Sequence, residues 1–383
     1  CAAHLHCPPL AVAVAADAAV SALNPSLDSW DQGPSSAAVE DEVISALAAL
    51  VGFDPIAAGG TMTTGATAST LTALLLARDA AGDRPVRIAC SDHAHFSTAR
   101  AAQTLGLTAT AVTVVPSADD GRIRVDALGA ALDAEPDAAW IVVATAGTTD
   151  LGAIDPLIAV AEVTARHGAW LHVDAAYGGG ALLSDELGAL LDGIDRADSV
   201  AMDFHKLGWQ PVAAGVLLLR DRRRMSPMDL QVAYLNAVDD DVAGYEDRLG
   251  RSLRTTRRPD AFKLLVTMRA LGRRGLGDLV DRCHALAHDA ADEVEATGGL
   301  ELHSRPTLTT VLLRPTIADP KARDERCAEI RRALLRDGRA VIGRTELPGH
   351  GPGRRWLKLT LLNPAASPAD VRALVGLVAT ASA

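Results

Sequence analysis

Apolar residues along this chain fall into two rhythms. Short continuous apolar runs at 86–91, 140–144, 170–174, 199–203 and 214–220 read as buried strands, and the β-branched stretch 110–115 as another extended segment. Between them, 67–81, 99–105, 125–133 and 157–167 carry apolar residues at helical spacing. Strands alternating with helices predict an α/β fold, a mostly parallel sheet with helices on both faces. Ahead of it, helices are predicted over 10–23 and 36–51, separated by polar turns at Asn24-Pro25 and Asp31-Gln-Gly-Pro34. Glu40, Asp41 and Glu42 are read as first-turn acids, where the helix dipole favours negative charge. Beyond about 262, helices at 261–271, 276–297, 322–337 and 368–380 mix with extended pieces at 308–313 and 356–361, the pattern of an α+β unit. The expected organisation is an N-terminal helical segment over 1–55, a large domain over 56–262 and a small C-terminal domain over 263–383. The stretch 221–258 is charged and lacks a period, with Asp239-Asp240-Asp241 and Gly244, and is expected to be a mobile loop.

Composition adds constraints. Small aliphatics dominate and aromatics make up 3%, which suits closely packed helices on a sheet. Thirty-three arginines against four lysines read as a GC-rich coding bias, so most arginines need no functional reading. A net charge of −11 argues against nucleic-acid binding as the main activity and agrees with a cationic substrate. Cys1, Cys7, Cys90, Cys283 and Cys327 are scattered, with no C-x-x-C pair. That reads as thiols in a reducing, cytoplasmic setting rather than a disulfide framework or a zinc site. The apolar stretch 11–20 is short and interrupted by Asp17, so neither a membrane span nor a signal peptide is expected. The first residue is Cys, so the chain is expected to begin inside a longer gene product.

One lysine stands apart. Lys206 closes Ser199-Val-Ala-Met-Asp-Phe-His-Lys206, a strand ending in His205-Lys206, and the upstream strand Trp170-Leu-His-Val-Asp-Ala-Ala-Tyr177 carries Asp174 near its end. A lysine and a carboxylate at neighbouring strand ends are what pyridoxal phosphate requires. Its aldehyde forms a Schiff base with an amine, and an acid keeps its ring nitrogen protonated so that the ring accepts electrons. The plainer alternatives are a strand-end lysine reaching solvent and an aspartate acting as a helix cap. Small residues after Asp174, including Ala176 and the glycines 178–180, let a flat ring approach, and a buried Asp needs a cation. The Gly/Thr-rich stretch from Gly59 to Ser69 is either a flexible turn with an N-cap or a helix start that holds a phosphate, with Thr67 in support. His95, after a strand, either stacks on a planar cofactor or belongs to a surface loop, and a metal site there lacks further ligands. Thr148, in Thr145-Ala-Gly-Thr-Thr149, either touches the cofactor rim or forms a plain turn. Ligands collect at the C-terminal ends of such strands, which puts His95, Thr148 and Asp174 in one pocket.

The order of these motifs resembles the group II pyridoxal-phosphate-dependent amino-acid decarboxylases. The similarity is most specific at His172-Val-Asp-Ala-Ala-Tyr177 and Asp203-Phe-His-Lys206 and extends over nearly the whole chain. Asn24 to Gln32, Ser252 to Arg258 and Leu357 to Pro364 are most similar to the 2,4-diaminobutyrate branch, and His4-Leu-His-Cys-Pro8 resembles the family's entry segment. The resemblance implies the fold type I architecture of aspartate aminotransferase, with a seven-stranded sheet, and a homodimer with shared active sites. It implies that Lys206 forms the Schiff base, Asp174 partners the ring nitrogen, His95 stacks on the ring and Ala176 lies against its other face. Ala66, Thr67 and His205 would bind the phosphate, Thr148 and Asp203 would line the cofactor, and His6 and Pro8 would meet the substrate. Tyr234 would protonate Cα from a mobile loop, with His95 as the alternative donor. The implied activity converts an L-amino acid to an amine and carbon dioxide. A diamino acid such as 2,4-diaminobutyrate, ornithine or lysine is favoured over an aromatic or acidic substrate. An aldehyde synthase and an inactive protein keeping the fold are the rivals; Tyr234 speaks against the first, and intact Asp174, His205 and Lys206 against the second. Two departures stand out: the family's N-terminal arm is largely absent, and Pro259 occupies a place where the branch usually has an aromatic.

Overall fold

The computed structural model describes residues 1–6 and 8–382, and Cys7 lies outside the described residues. Its central sheet has seven strands: β1 (Gly59–Thr63), β2 (Val86–Ser91), β3 (Val112–Val115), β4 (Ala139–Thr145), β5 (Trp170–Ala175), β6 (Ser199–Asp203) and β7 (Gly215–Leu219). They lie in the order β1-β7-β6-β5-β4-β2-β3. All neighbours are parallel except β7, which runs against both β1 and β6. Strand alternation sends Ile141 and Val143 of β4 into one apolar layer, and Trp140, Val142 and Ala144 into the opposite one. Burial on both faces explains why these strands read as unbroken apolar runs.

Helices α1 (Ala11–Leu23) and α2 (Ser36–Val51) precede the sheet, and α3 (Ala66–Ala80), α4 (Ser97–Thr104), α5 (Val125–Asp133) and α6 (Leu157–Arg166) cover it. Because α2 starts at Ser36, its acids fall in the second turn, and the first-turn expectation is corrected. They are held by hydrogen bonds and ion pairs from elsewhere in the chain, not by the helix dipole. Buried Glu40 accepts from Thr61 Oγ1 (2.9 Å), the Met62 N–H (2.8 Å) and Arg257 Nη1 (2.9 Å), while Arg248 pairs with Asp41 and Arg269 with Glu42. The 221–258 stretch is largely irregular, with one short α-helix, α7 (Val238–Val242), and 3-10 turns at Arg222–Met228 and Leu249–Arg251, and it is pinned at Arg248 and Arg257.

Helix α8 (Ala261–Ala296) breaks direction at Gly272, where φ is 66°. Its first half packs into the main core, and Leu286, Ala287, Ala290 and Val294 pack into a second core. That core is built on an antiparallel sheet, β10-β11-β9-β8, comprising β8 (Leu300–Leu302), β9 (Thr310–Pro315), β10 (Gly343–Glu346) and β11 (Arg355–Thr360). Helices α9 (Pro320–Arg336) and α10 (Pro368–Ser382) pack on it. Among the described residues no helix is long and apolar enough to cross a membrane.

Candidate active site

Strand β1 runs parallel in direction to β2, β4, β5 and β6, so all five deliver their C-terminal ends to one edge of the sheet. A cavity of about 300 Å³ opens there. Each of its walls has a local cause. At the start of β7, Gly215 pairs with both Thr63 and Asp203. A Cβ on Gly215 would come within 2.4 Å of Gly65 Cα, so only glycine lets the turn into α3 lie this close. That turn brings Thr64 to Ala68 to the cavity, and the Ala66 N–H donates to Asp203 Oδ1 at 2.7 Å. Gly180 plays a similar part under the lysine, since a Cβ there would meet Leu207 at 2.3 Å.

Lys206 Nζ lies 3.1 Å from Asp203 Oδ2, and His205 Nε2 lies 3.6 Å from the same oxygen. One buried carboxylate thus holds the lysine, its neighbour and the N-terminus of α3. Burial lowers the His205 pKa and Asp203 opposes the shift, while Lys206 and His6 add to it. Asp174 is 5% exposed, accepts the Ala176 N–H at 3.1 Å, and has no cationic side chain within ion-pair distance among the described residues. Burial also lowers the His95 pKa, against the pull of Asp174. The Ser97 N–H donates to His95 Nδ1 at 3.3 Å, which leaves the ring proton on Nε2.

Of the residues singled out from the sequence, Ala66, Thr67, His95, Asp174, Ala176, Asp203, His205 and Lys206 all border this cavity. Thr148 does not. It is buried, and its hydroxyl accepts the Ala153 N–H at 3.1 Å, while Thr145 and Thr149 take the rim instead. Tyr234 is 82% exposed and outside the lining, as are the exposed His6 and Pro8. Tyr177 also lines the cavity, a part that sequence reading left unassigned although the residue ends the His172–Tyr177 motif. Its hydroxyl meets Thr309 Oγ1 (2.8 Å) and Thr310 Oγ1 (3.0 Å) and accepts the Thr309 N–H (2.8 Å), tying the second sheet to the cavity wall. Lys358 of β11 adds a second tie through Asp150, at 2.8 Å.

Residues 5–315 match the pyridoxal-dependent decarboxylase conserved domain. The chain belongs to the pyridoxal-dependent decarboxylase family. Two relatives in this family are L-2,4-diaminobutyrate decarboxylases. That of Rhizobium meliloti (strain 1021) is 44% identical over 373 residues, spanning 96% of this chain and 74% of the relative. That of Acinetobacter baumannii is 36% identical over 404 residues, spanning 98% and 78%. Among solved structures, the glutamate decarboxylase domain of diaminobutyrate-pyruvate transaminase and L-2,4-diaminobutyrate decarboxylase from Vibrio parahaemolyticus superimposes with a TM-score of 0.86. It is 34% identical, covering all of this chain and 80% of that one. The decarboxylase cofactor is pyridoxal phosphate, and the cavity fits it. Asp174 is a buried carboxylate lacking a cation, Thr145 Oγ1 is buried without a hydrogen-bond partner, and the N-terminus of a 15-residue helix faces the same space.

Proposed function

We propose that this decarboxylase acts on an L-diamino acid, 2,4-diaminobutyrate first, with ornithine and lysine as further candidates. One carbon–carbon bond breaks, carbon dioxide leaves, and a proton takes its place on Cα to give the amine. The observation that carries the chemistry is Lys206 and Asp174 on one cavity at adjacent strand ends. The similarity to two diaminobutyrate decarboxylases supports the substrate class. So does a cavity lining whose only rings among the described residues are His95, Tyr177 and His205, which offers little to an aromatic side chain.

In this reading the N-terminus of α3 and Thr67 hold the cofactor phosphate, with His205 beside them. Lys206 would hold pyridoxal phosphate through its amine, and the bound cofactor would supply a sink for the electron pair released from Cα. Asp174 supplies the negative charge that keeps the ring nitrogen protonated, and neutral His95 offers an imidazole face with its proton on Nε2. Asp203 steadies Lys206 and fixes the first turn of α3 with the same carboxylate. Tyr234 Oη delivers the proton to Cα, and its position on the outside supports a homodimer in which this loop reaches the other subunit's cavity. Leu230, Val238, Tyr245 and Leu253 are exposed on the same stretch, apolar surface suited to a second copy. Among the described residues, buried Cys90 and Cys327 form no disulfide, which supports a reducing, cytoplasmic setting.

The test is carbon dioxide release by the cofactor-loaded chain across a panel of L-amino acids. Diamino acids are expected to give the highest kcat/KM. A higher value for glutamate, cysteine sulfinate or tryptophan would overturn the substrate assignment.

A further inference from the structure

Helix α8 carries two histidines one turn apart, His284 and His288, on a face remote in sequence from the decarboxylase motifs. Residues four apart on a helix stack on one side, and here the two Nε2 atoms lie 3.2 Å apart. The rings meet edge to face, with centroids 4.5 Å apart and planes at 69°. An Nε2 pair at this distance subtends roughly 100° at a cation bonded at about 2.0–2.1 Å, between octahedral and tetrahedral geometry. Both rings are partly exposed, so a solvated ion has access.

The surroundings also suit a ligand. The backbone of Thr307 lies against the His284 ring. Further along α8, Asp292 and Glu295 pair with Arg305 at 2.6 and 2.9 Å. Asp281 is held by Ser184. No group of three candidate ligands occurs among the described residues, so water would complete the coordination sphere.

We propose that His284 and His288 form a two-imidazole site for a borderline divalent cation of the zinc, nickel or copper class, separate from the decarboxylase cavity. Calcium and magnesium are excluded by ligand type, since both prefer oxygen donors. Thr307 precedes Thr309 by two residues, and Thr309 holds the Tyr177 hydroxyl on the cavity wall, so an occupied site would brace that connection.

The experiment is isothermal titration of the cofactor-loaded protein with nickel chloride at neutral pH, beside His288→Ala and His288→Gln. Wild type is expected to bind one saturable nickel per chain that both variants lack. The glutamine variant keeps a side chain of similar reach and a hydrogen-bonding end, which guards against a folding defect, and circular dichroism of both variants should match wild type. Copper loaded into wild type at one equivalent should show nitrogen hyperfine structure in its electron paramagnetic resonance spectrum, and His284→Ala should lose it. Equal nickel stoichiometry in wild type and folded His288→Gln, or none in wild type, overturns the site and shows the pair to be an ordinary imidazole–imidazole hydrogen bond.

Discussion

Two buried groups around the cavity should give the protein's acid response opposing signs, and each can be unmasked by one substitution. His172 lies on β5 two residues before Asp174, with Thr70 Oγ1 at 3.3 Å and Ser199 Oγ at 2.9 Å on its two nitrogens. Burial takes its pKa from the ordinary 6.5 to about 4, with Asp174 opposing. The unfolded chain therefore takes up this proton well before the folded one. Stability from His172 is complete above pH 6.5 and is lost as pH falls toward 4. At about 1.4 kcal/mol per pH unit the loss is roughly 3 kcal/mol. Asp155, after the β4 turn, accepts the Thr145 and Ile123 N–H groups at 2.7 Å each, and burial raises its pKa from 3.8 to about 6. Here the folded state keeps the proton longer, so stability is complete below pH 3.8 and is lost as pH rises toward 6. That term is again roughly 3 kcal/mol, so the two nearly cancel over the shared window. Urea unfolding of wild type, His172→Asn and Asp155→Asn between pH 4 and 7 reads this directly. Lost packing shifts each variant by a constant amount, so the slope is what matters. Relative to wild type, His172→Asn should gain about 3 kcal/mol on acidification and Asp155→Asn should lose about as much. Differences that stay flat to within about 0.5 kcal/mol across the range would refute the assignment of these protonation states.

Lys206→Ala should abolish turnover, and borohydride-treated wild type should carry the cofactor on the Lys206 peptide; label on Lys263, Lys321 or Lys358 would contradict the site. Asp174→Asn should retain the fold but lose most activity and bind cofactor more weakly, by roughly 10- to 100-fold for a lost charge-assisted hydrogen bond of about 1.5–3 kcal/mol, measured by equilibrium dialysis. Near-normal turnover would remove Asp174 from the mechanism. Tyr234→Phe should slow amine formation by roughly 10²–10⁴, the size of a lost general acid, and an unchanged rate would pass that role to His95. Tyr177→Phe leaves the buried Thr309 N–H without its acceptor and should cost about 1–3 kcal/mol by denaturation, which a change near zero would rule out.

Where one force dominates, the pattern of residues was enough to read the fold. Unbroken apolar runs became the buried strands β2, β4, β5, β6 and β7, and the 36–51 helix was legible end to end. Strand β1 was not, because Gly59, Gly60 and Thr61 look like a turn. Gly60 is in a strand because a Cβ there would strike the Leu217 carbonyl of β7, a requirement visible only once the partner strand is in place. The edge strand β10 reads Gly-Arg-Thr-Glu and has no apolar signature to find. At the site, charge and order along the chain brought Lys206, Asp174, Asp203 and His95 together. Thr148 and Thr149 differ only in which hydroxyl the turn consumes, and composition does not encode that choice. Tyr177 was unassigned because its partners, Thr309 and Thr310, are set by the docking of a distant sheet.

The antiparallel insertion of β7 has a consequence for how the protein is made. Strands β1 and β6 do not pair with each other; β7 between them, together with the Ala66 N–H to Asp203 bond, sets the turn into α3 against the His205-Lys206 turn. A nascent chain that has released Lys206 but not Leu219 holds every residue of the cofactor grip without its geometry. Closing the loop from β1 to β7 is an entropic cost met before any reward from the contacts it brings. Cofactor capture is therefore expected only after β7 has emerged and paired with both neighbours.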